Sequence, residues 1–373
     1  MQWDEYHEDL ENLRKPLQHA SSLPGRFYTD NQVFQQEVTE IFSHNWLFVC
    51  RESDLSEPGQ FVSYESVPGP AVVVRARDGE LRAFANSCRH RGSKLLDGSG
   101  QCARIVCPYH SWVYNLDGQL IGAPGMDGVE GFDKTDYPLH SIALDTWGGF
   151  VFINFDDHCQ PLASHLGNFT ALFAQHDPAN LVRVHSLEFD VQSNWKLLAE
   201  NALEAYHTGT VHRETLGQQA SRPLDCRGSW TGLLVEDEAS VGSMPGDPNP
   251  FPHLQGLDEV ARSGTFFTMV YPSTQFVFAQ DCSWWLDLKP VAVDRTKVTL
   301  GACFPGTTTE MDGFADKVEP YIRRWDLATR EDNRICEWQQ QGQLFNRAPG
   351  RFALTEFATR DFQQWVADQL TGT

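Results

Sequence analysis

No stretch of this 373-residue chain approaches the ~18 uninterrupted apolar residues that a membrane span requires. Positive charge is scarce: 29 Lys and Arg stand against 50 Asp and Glu, a net charge of −21. Such a surface repels nucleic acid and anionic membrane, so neither is expected as a partner. The opening residues Met1-Gln2-Trp3-Asp4-Glu5 have neither the basic segment nor the apolar run of an export signal. A soluble, cytoplasmic protein is expected, in which thiols stay reduced and nine cysteines need a reason other than disulfides. No Gly-x-Gly-x-x-Gly opens a helix, so no nicotinamide or flavin site is expected in the chain itself. Internal repeats and low-complexity tracts are also missing.

The length suits two domains at ~150 residues each. Residues 1–44 are polar and helix-like, with Val33, Val38, Ile41 and Phe42 on one apolar face. Residues 45–156 hold short β-rich runs, among them 61–64, 71–74, 81–85, 105–106, 112–114 and 149–155, closely punctuated by glycine and proline. These predict one all-β domain. Residues 157–373 mix helical patterns over 162–176, 195–207 and 313–341 with strand-like runs at 181–191, 266–270, 275–280, 284–288 and 297–304. An antiparallel sheet flanked by helices follows, and the expected fold class is α+β. Four prolines between Pro245 and Pro252 mark an irregular surface loop.

Two segments of the β-rich region each carry one cysteine and one histidine: Cys88-Arg89-His90-Arg91-Gly92 and Cys107-Pro108-Tyr109-His110-Ser111-Trp112. A two-iron, two-sulfur cluster of the Rieske kind needs two thiolates on one iron and two neutral imidazoles on the other, which these four residues supply. Tetrahedral zinc is the alternative for such a set. Zinc fingers pair Cys with Cys and His with His along the chain; here the types alternate, which favours the cluster. Cys102 lies between the loops. Cys50, Cys159, Cys226, Cys282, Cys303 and Cys336 show no ligand spacing and are expected to be small buried apolar side chains.

An electron relay alone leaves the second half unexplained. His207 and His212 are five residues apart, and on an ideal helix their side chains diverge by about 140°. Both reach one metal only if the helix breaks, which Gly209 between them permits. Downstream, Trp325, Ala328, Ile335 and Cys336 recur at helical spacing, and Asp332 falls inside this apolar stripe. A carboxylate facing inward is costly unless a cation meets it. With the two histidines it would form a 2-His-1-carboxylate triad for a mononuclear Fe(II) with open positions. Glu331 and Glu337 fall off the stripe and are read as solvated acids.

The motifs Cys-x-His-Arg-Gly and Cys-x-x-His-x-Trp resemble those of Rieske proteins. Respiratory-chain members carry two further cysteines, where this chain has Ser93 and Tyr109, so the resemblance is to the oxygenase branch. Asn194-Trp195-Lys196, Glu200-Asn201, Glu204, Tyr206-His207 and His212, followed by Asp332, resemble the iron-site pattern of the Rieske non-heme iron oxygenases, or aromatic-ring-hydroxylating oxygenases. The resemblance covers nearly the full chain. It implies a helical lead-in (1–44) packing with the catalytic domain, a Rieske domain (45–156) and a helix-grip catalytic domain (157–373). It implies one 2Fe-2S cluster, one mononuclear Fe(II), dioxygen as co-substrate, and NAD(P)H only through a partner reductase, with or without a ferredoxin. It further implies a head-to-tail homotrimer in which Glu204 joins His207 to His110 of the partner subunit.

Glu204 stands where ring dioxygenases usually carry Asp, and is similar in this to monooxygenase and N-demethylase relatives acting on choline- and betaine-like amines. Ile335-Cys336-Glu337 with Pro349-Gly350-Arg351 resembles the same branch, although Tyr206-His207 lacks the flanking cysteines common there. The resemblance therefore implies hydroxylation or oxidative dealkylation of a small aromatic or methylamine-like substrate. Cis-dihydroxylation of an aromatic ring, and a plain Rieske electron-transfer protein, are the alternatives. Asn201 and Glu204 are expected to act in catalysis, and Phe278 and Trp285, from an aromatic run, to face the substrate.

Overall fold

The computed structural model describes residues 6–237, 240–247, 250–346 and 348–372. The first five residues, read above for an export signal, and Pro248 of the proline-rich loop lie outside the described residues. The chain forms two compact units: Phe42–Leu162, and a second that joins the segment up to Ile41 to the segment from Ala163 onward.

The first unit is all β. Its strands are β1 (Leu47–Arg51), β2 (Gln60–Tyr64), β3 (Ala71–Arg75), β4 (Leu81–Ala85) and β5 (Ser99–Gln101). A small three-stranded sheet follows, of β6 (Ile105–Val106), β7 (Val113–Tyr114) and β8 (Leu120–Gly122), before β9 (Ser141–Trp147) and β10 (Phe150–Asn154). The larger sheet is ordered β1-β10-β9-β4-β3-β2-β5. Val72, Val74, Phe84, Ile105, Trp112 and Tyr114 bury together between the two sheets' elements, and each side chain of this kind contributes roughly 1.5–3 kcal/mol on leaving water.

The second unit has the expected α+β architecture. Seven antiparallel strands, β11 (Leu181–Val191), β12 (Ser221–Pro223), β13 (Trp230–Glu236), β14 (Gly264–Val270), β15 (Thr274–Phe278), β16 (Ser283–Ala292) and β17 (Arg295–Pro305), are ordered β11-β17-β16-β15-β14-β13-β12. The helices that matter here are α1 (Asn31–Glu37), α2 (Trp195–Asn201), α3 (Thr208–Val211), α4 (Glu319–Gln343) and α5 (Phe357–Thr371). Strand β13 is buried almost throughout, so it lacks the alternation that reveals a strand in sequence. Neither it nor α5 is evident from the residues alone. The expected 313–341 helix begins its long run only at Glu319, with Pro320 in the first turn, where its missing N–H costs nothing.

The two faces of this sheet have different fillings. On one, Val277, Trp284, Leu300, Ala302 and Phe304 pack against Tyr321 and Trp325 of α4. On the other, Phe276 and Phe278 meet Phe169 and Phe173, with Phe173 stacked on Phe278 at 4.4 Å. Trp285 pairs with Phe276 across the β15–β16 ladder and so shares the second face. Gly301 is opposite it: a Cβ there would lie 2.0 Å from the Trp285 ring.

The Asn194-Trp195-Lys196 motif fastens the lead-in to α2. The Asn194 side chain accepts the Lys196 N–H at 3.0 Å and so starts the helix, while its Nδ2 donates to the carbonyls of Tyr28 and Val293. Trp195 Nε1 donates to Glu37 Oε2 at 2.8 Å, and Lys196 pairs with the other oxygen of Glu37; neither charged side chain has any solvent exposure.

Candidate metal centres and substrate cavity

In the β unit, β4 leads into the loop with Cys88 and His90, and β6 and β7 flank the loop with Cys107 and His110. Backbone bonds shape both turns: Cys88 N–H donates to Ser93 O, Gly92 N–H to Cys88 O, and Cys107 N–H to Trp112 O. Gly92 takes φ +71°, a conformation that strains other residues. The His90 and His110 rings lie 4.7 Å apart, and His90 stacks on Trp112 at 5.0 Å. Both Nδ1 atoms are buried without a hydrogen-bond partner, which is costly for bare protein and is relieved by a metal that accepts the lone pair. Among the described residues, only one group of three or more donor atoms lies within 4.8 Å of one another, and it is not this set. A single tetrahedral zinc needs such convergence; a cluster with cysteines on one iron and histidines on the other does not. The donors fit the cluster. Tyr114 Oη sits 3.4 Å from Cys88 Sγ and accepts the Arg89 N–H at 3.0 Å. None of the nine cysteines forms a disulfide; Cys50, Cys282, Cys303 and Cys336 are buried as expected, whereas Cys159 and Cys226 are only partly so.

The convergent group is His207, His212 and Asp332. The expected helix through 207 with a break at Gly209 is corrected: α2 stops at Asn201, and Gly209 lies inside the one-turn α3. Glu204 accounts for the break. Its carboxylate accepts the backbone N–H of Tyr206 and, at 3.0 Å, that of His207, drawing the chain out of one helix and starting the next. His207 and His212 then stand at the two ends of α3, with ring centroids 5.1 Å apart.

Each imidazole is held from behind by a carboxylate. His207 Nδ1 meets Glu204 Oε1 at 2.5 Å, and His212 Nδ1 meets Glu331 Oε2 at 2.7 Å, an oxygen that also accepts Thr215 Oγ1 at 2.7 Å. With Nδ1 donating, each Nε2 offers its lone pair to the front. There Asp332 Oδ1 lies 3.4 Å from His207 Nε2 and 3.0 Å from His212 Nε2, yet it is buried and makes no properly angled hydrogen bond. Three lone pairs aimed at one point fit a divalent iron. The reading of Glu331 as a solvated acid is corrected, since it supports His212; Glu337 accepts the Gln192 N–H at 3.1 Å in an exposed setting. Periodicity along α4 shows which residues leave its own apolar stripe, but not that α3 covers the flank where Glu331 stands.

Burial opposes charge on the imidazoles, but Asp332 and Glu204 outweigh it and push His207 up to about 10. His212 is likewise raised against burial, chiefly by Asp332. Burial also opposes ionisation of Asp332, but the two imidazoles hold it well below the usual carboxylate range. A divalent cation bound there would take the place of those imidazole protons. Because Glu331 fixes the His212 tautomer, Glu331→Gln is expected to weaken iron retention by roughly 10- to 100-fold. Iron content after dialysis checks this, and undiminished retention would show Glu331 to be dispensable.

The group opens on a cavity walled by Leu233, Phe267, Met269 and Leu286, with Asn201, Gln275 and Arg324 among its polar side chains. A concave, mostly apolar space with a few polar groups is the usual form of a small-molecule site. Asn201 and Glu204 both line this cavity. Phe278 and Trp285 do not: both belong to the opposite face of the sheet, and the expectation that they face substrate is corrected. On the cavity side their places are taken by Phe267 and Trp284, whose parity follows from the ladder register.

Comparison with known proteins agrees with this geometry. The family model of the ring hydroxylating alpha subunit (catalytic domain) matches residues 178–372, and that of the Rieske [2Fe-2S] domain matches residues 45–133. The glycine betaine monooxygenase oxygenase subunit of Pseudomonas aeruginosa is 35% identical, over 96% of this chain and 91% of its own. The carnitine monooxygenase oxygenase subunit of Escherichia coli is 36% identical over 54% of this chain and 55% of its own. A solved quaternary ammonium Rieske monooxygenase, described for carnitine oxidation and inter-subunit electron transfer, aligns with a TM-score of 0.82 at 26% identity, covering 96% of this chain and 98% of that one.

Proposed function

Since this chain belongs to the family of Rieske-type ring-hydroxylating oxygenase alpha subunits, we propose that its reaction is monooxygenation, a hydroxylation or oxidative dealkylation of a small organic molecule. It is a terminal oxygenase, an oxidoreductase that depends on a separate reductase for electrons. Cys88, His90, Cys107 and His110 hold the 2Fe-2S cluster in this reading, and His207, His212 and Asp332 hold the mononuclear iron. When bound, the cluster supplies electrons singly and the iron activates dioxygen. Glu204 and Glu331 keep the two imidazoles turned to the metal. The apolar walls exclude water from the reacting face, and Asn201 orients substrate in this reading, its position on the cavity wall being the support.

The observation that carries the reading is the convergence of three donor atoms within 4.8 Å on the wall of a mostly apolar cavity. Relatives aligned over nearly the whole chain are named monooxygenases, which supports insertion of one oxygen atom. The partner is an NAD(P)H reductase, acting directly or through a ferredoxin, in the cytoplasm. No helix among the described residues is long and apolar enough to cross a membrane. A homotrimer is proposed as well, with Glu204 as the link from His207 to His110 of the partner subunit; the inter-subunit transfer named for the solved relative supports it. Turnover of N-methylated and aromatic acids under labelled dioxygen, with a reductase supplied, is the test. One labelled oxygen in the organic product is expected, whereas a diol carrying both labelled atoms would establish dihydroxylation instead.

A further inference from the structure

We propose that Arg324 is a carboxylate-recognition residue, and that the substrate is an organic anion seated on this guanidinium while its apolar body runs along the cavity to the iron site. The proposal deepens the oxygenase reading and rests on it.

Arg324 lies on α4 and lines the cavity, yet is only 5% exposed. Its Nε is buried with no hydrogen-bond partner, and the one carboxylate that acts on it, Asp332, is committed to the two imidazoles. Burial pushes its pKa down, but only to about 10, so it is cationic at neutral pH. A buried charge without a dedicated counter-ion is among the costliest features a fold retains. A ligand that brings the missing anion removes the cost.

The surroundings select the kind of anion. The guanidinium carbon sits 4.9 Å over the Trp284 ring, which fixes the plane of the group and leaves its edge for hydrogen bonding. A planar fork matches a carboxylate with two parallel N–H···O bonds. Among the described residues no lysine and no second arginine lines the cavity, so nothing described there matches the double charge of a phosphate monoester. Position along α4 separates the two side chains at their roots: Arg324 precedes Asp332 by eight residues, about 12 Å between backbones along the helix. The carboxylate is therefore a remote anchor and not a metal ligand, and the oxidised carbon lies several bonds away from it.

Calorimetric titration of the cluster- and iron-loaded enzyme with matched pairs tests the proposal: hexanoate against hexanamide, and 3-phenylpropanoate against its amide. The acid of at least one pair is expected to bind about tenfold or more tightly than its amide, a difference of about 1.4 kcal/mol. In Arg324→Met the preference falls to within about twofold, and Arg324→Lys, which keeps the charge and loses the fork, retains part of it. Equal binding within every pair, no binding by any member, or a preference that survives Arg324→Met overturns the proposal. Should the variants not fold, the comparison in the unmodified enzyme decides alone. Dioxygen uptake with a reductase separates this idea from the one beneath it. Acid preference that depends on Arg324, with no uptake on any ligand, leaves the anion site standing and removes the oxygenase reading. Turnover of amides and acids alike leaves the oxygenase and removes the anion site.

Discussion

Asp332→Ala abolishes turnover while the visible absorbance of the 2Fe-2S cluster stays intact: this is the largest expected effect on activity. The carboxylate is the one anionic donor of the convergent group, and without it two neutral imidazoles would have to retain the iron. Loss of an outer partner of a ligand already costs about 10- to 100-fold in affinity or activity, and loss of the ligand itself exceeds that range. Turnover below about 1% of the unmodified rate is therefore expected. Alanine is a better helix former than aspartate, so α4 persists. The cluster donors belong to the other compact unit and should load normally. Metal analysis and the absorbance spectrum, taken together, check the result. Normal turnover with a full iron complement would assign the third ligand to another residue.

The largest expected effect on stability comes from Lys196→Met. Lys196 and Glu37 are both wholly buried, and their mutual attraction is what offsets the desolvation of each. Burial raises the Glu37 carboxyl, and Lys196 is the main influence that counteracts this. Methionine fills the space of the lysine stem but leaves Glu37 an uncompensated buried acid. Breaking such a pair from one side costs about 3–5 kcal/mol. The double variant Glu37→Gln, Lys196→Met should recover part of that loss, because the stranded charge is gone. Urea unfolding midpoints measure both. A single-variant loss below about 1 kcal/mol would mean that water reaches the pair.

These particulars show where a sequence exposes a site and where it does not. Cys88, His90, Cys107 and His110 are legible because each ligand pair lies in one short loop, so spacing in sequence is close to spacing in the fold. Asp332 is legible for a different reason: an acid on an apolar stripe has to be answered by a cation somewhere. Glu331, its neighbour, gives no such signal, since an acid off the stripe looks solvated until α3 is seen to cover it. For the aromatics the obstacle is parity. Phe278 and Phe267 belong to similar runs, and only the strand register, with α4 on one face and Phe169 and Phe173 on the other, determines which of them meets the cavity. Arg324 gives no signal in the sequence because an arginine in a charged helix is ordinarily a surface residue. Its burial depends on Trp284, forty positions earlier in the chain, from a strand that packs beneath it.

Helix α4 carries Asp332, Glu331 and Arg324 on one continuous rod of 25 residues. A rod of this kind is a ruler with coarse graduations. A side chain moved along it keeps its face only in steps of three or four residues, about 5 Å at a time. The separation between a charged grip and the point of oxidation is therefore quantised: a guanidinium transferred from position 324 to Ala328, which also borders the cavity, shortens the gauge by one turn and leaves nothing in between. Divergence of substrate length on this scaffold would proceed by jumps of four or so bonds rather than by gradual drift, while fine discrimination within each step falls to the side chains of the sheet that forms the opposite wall.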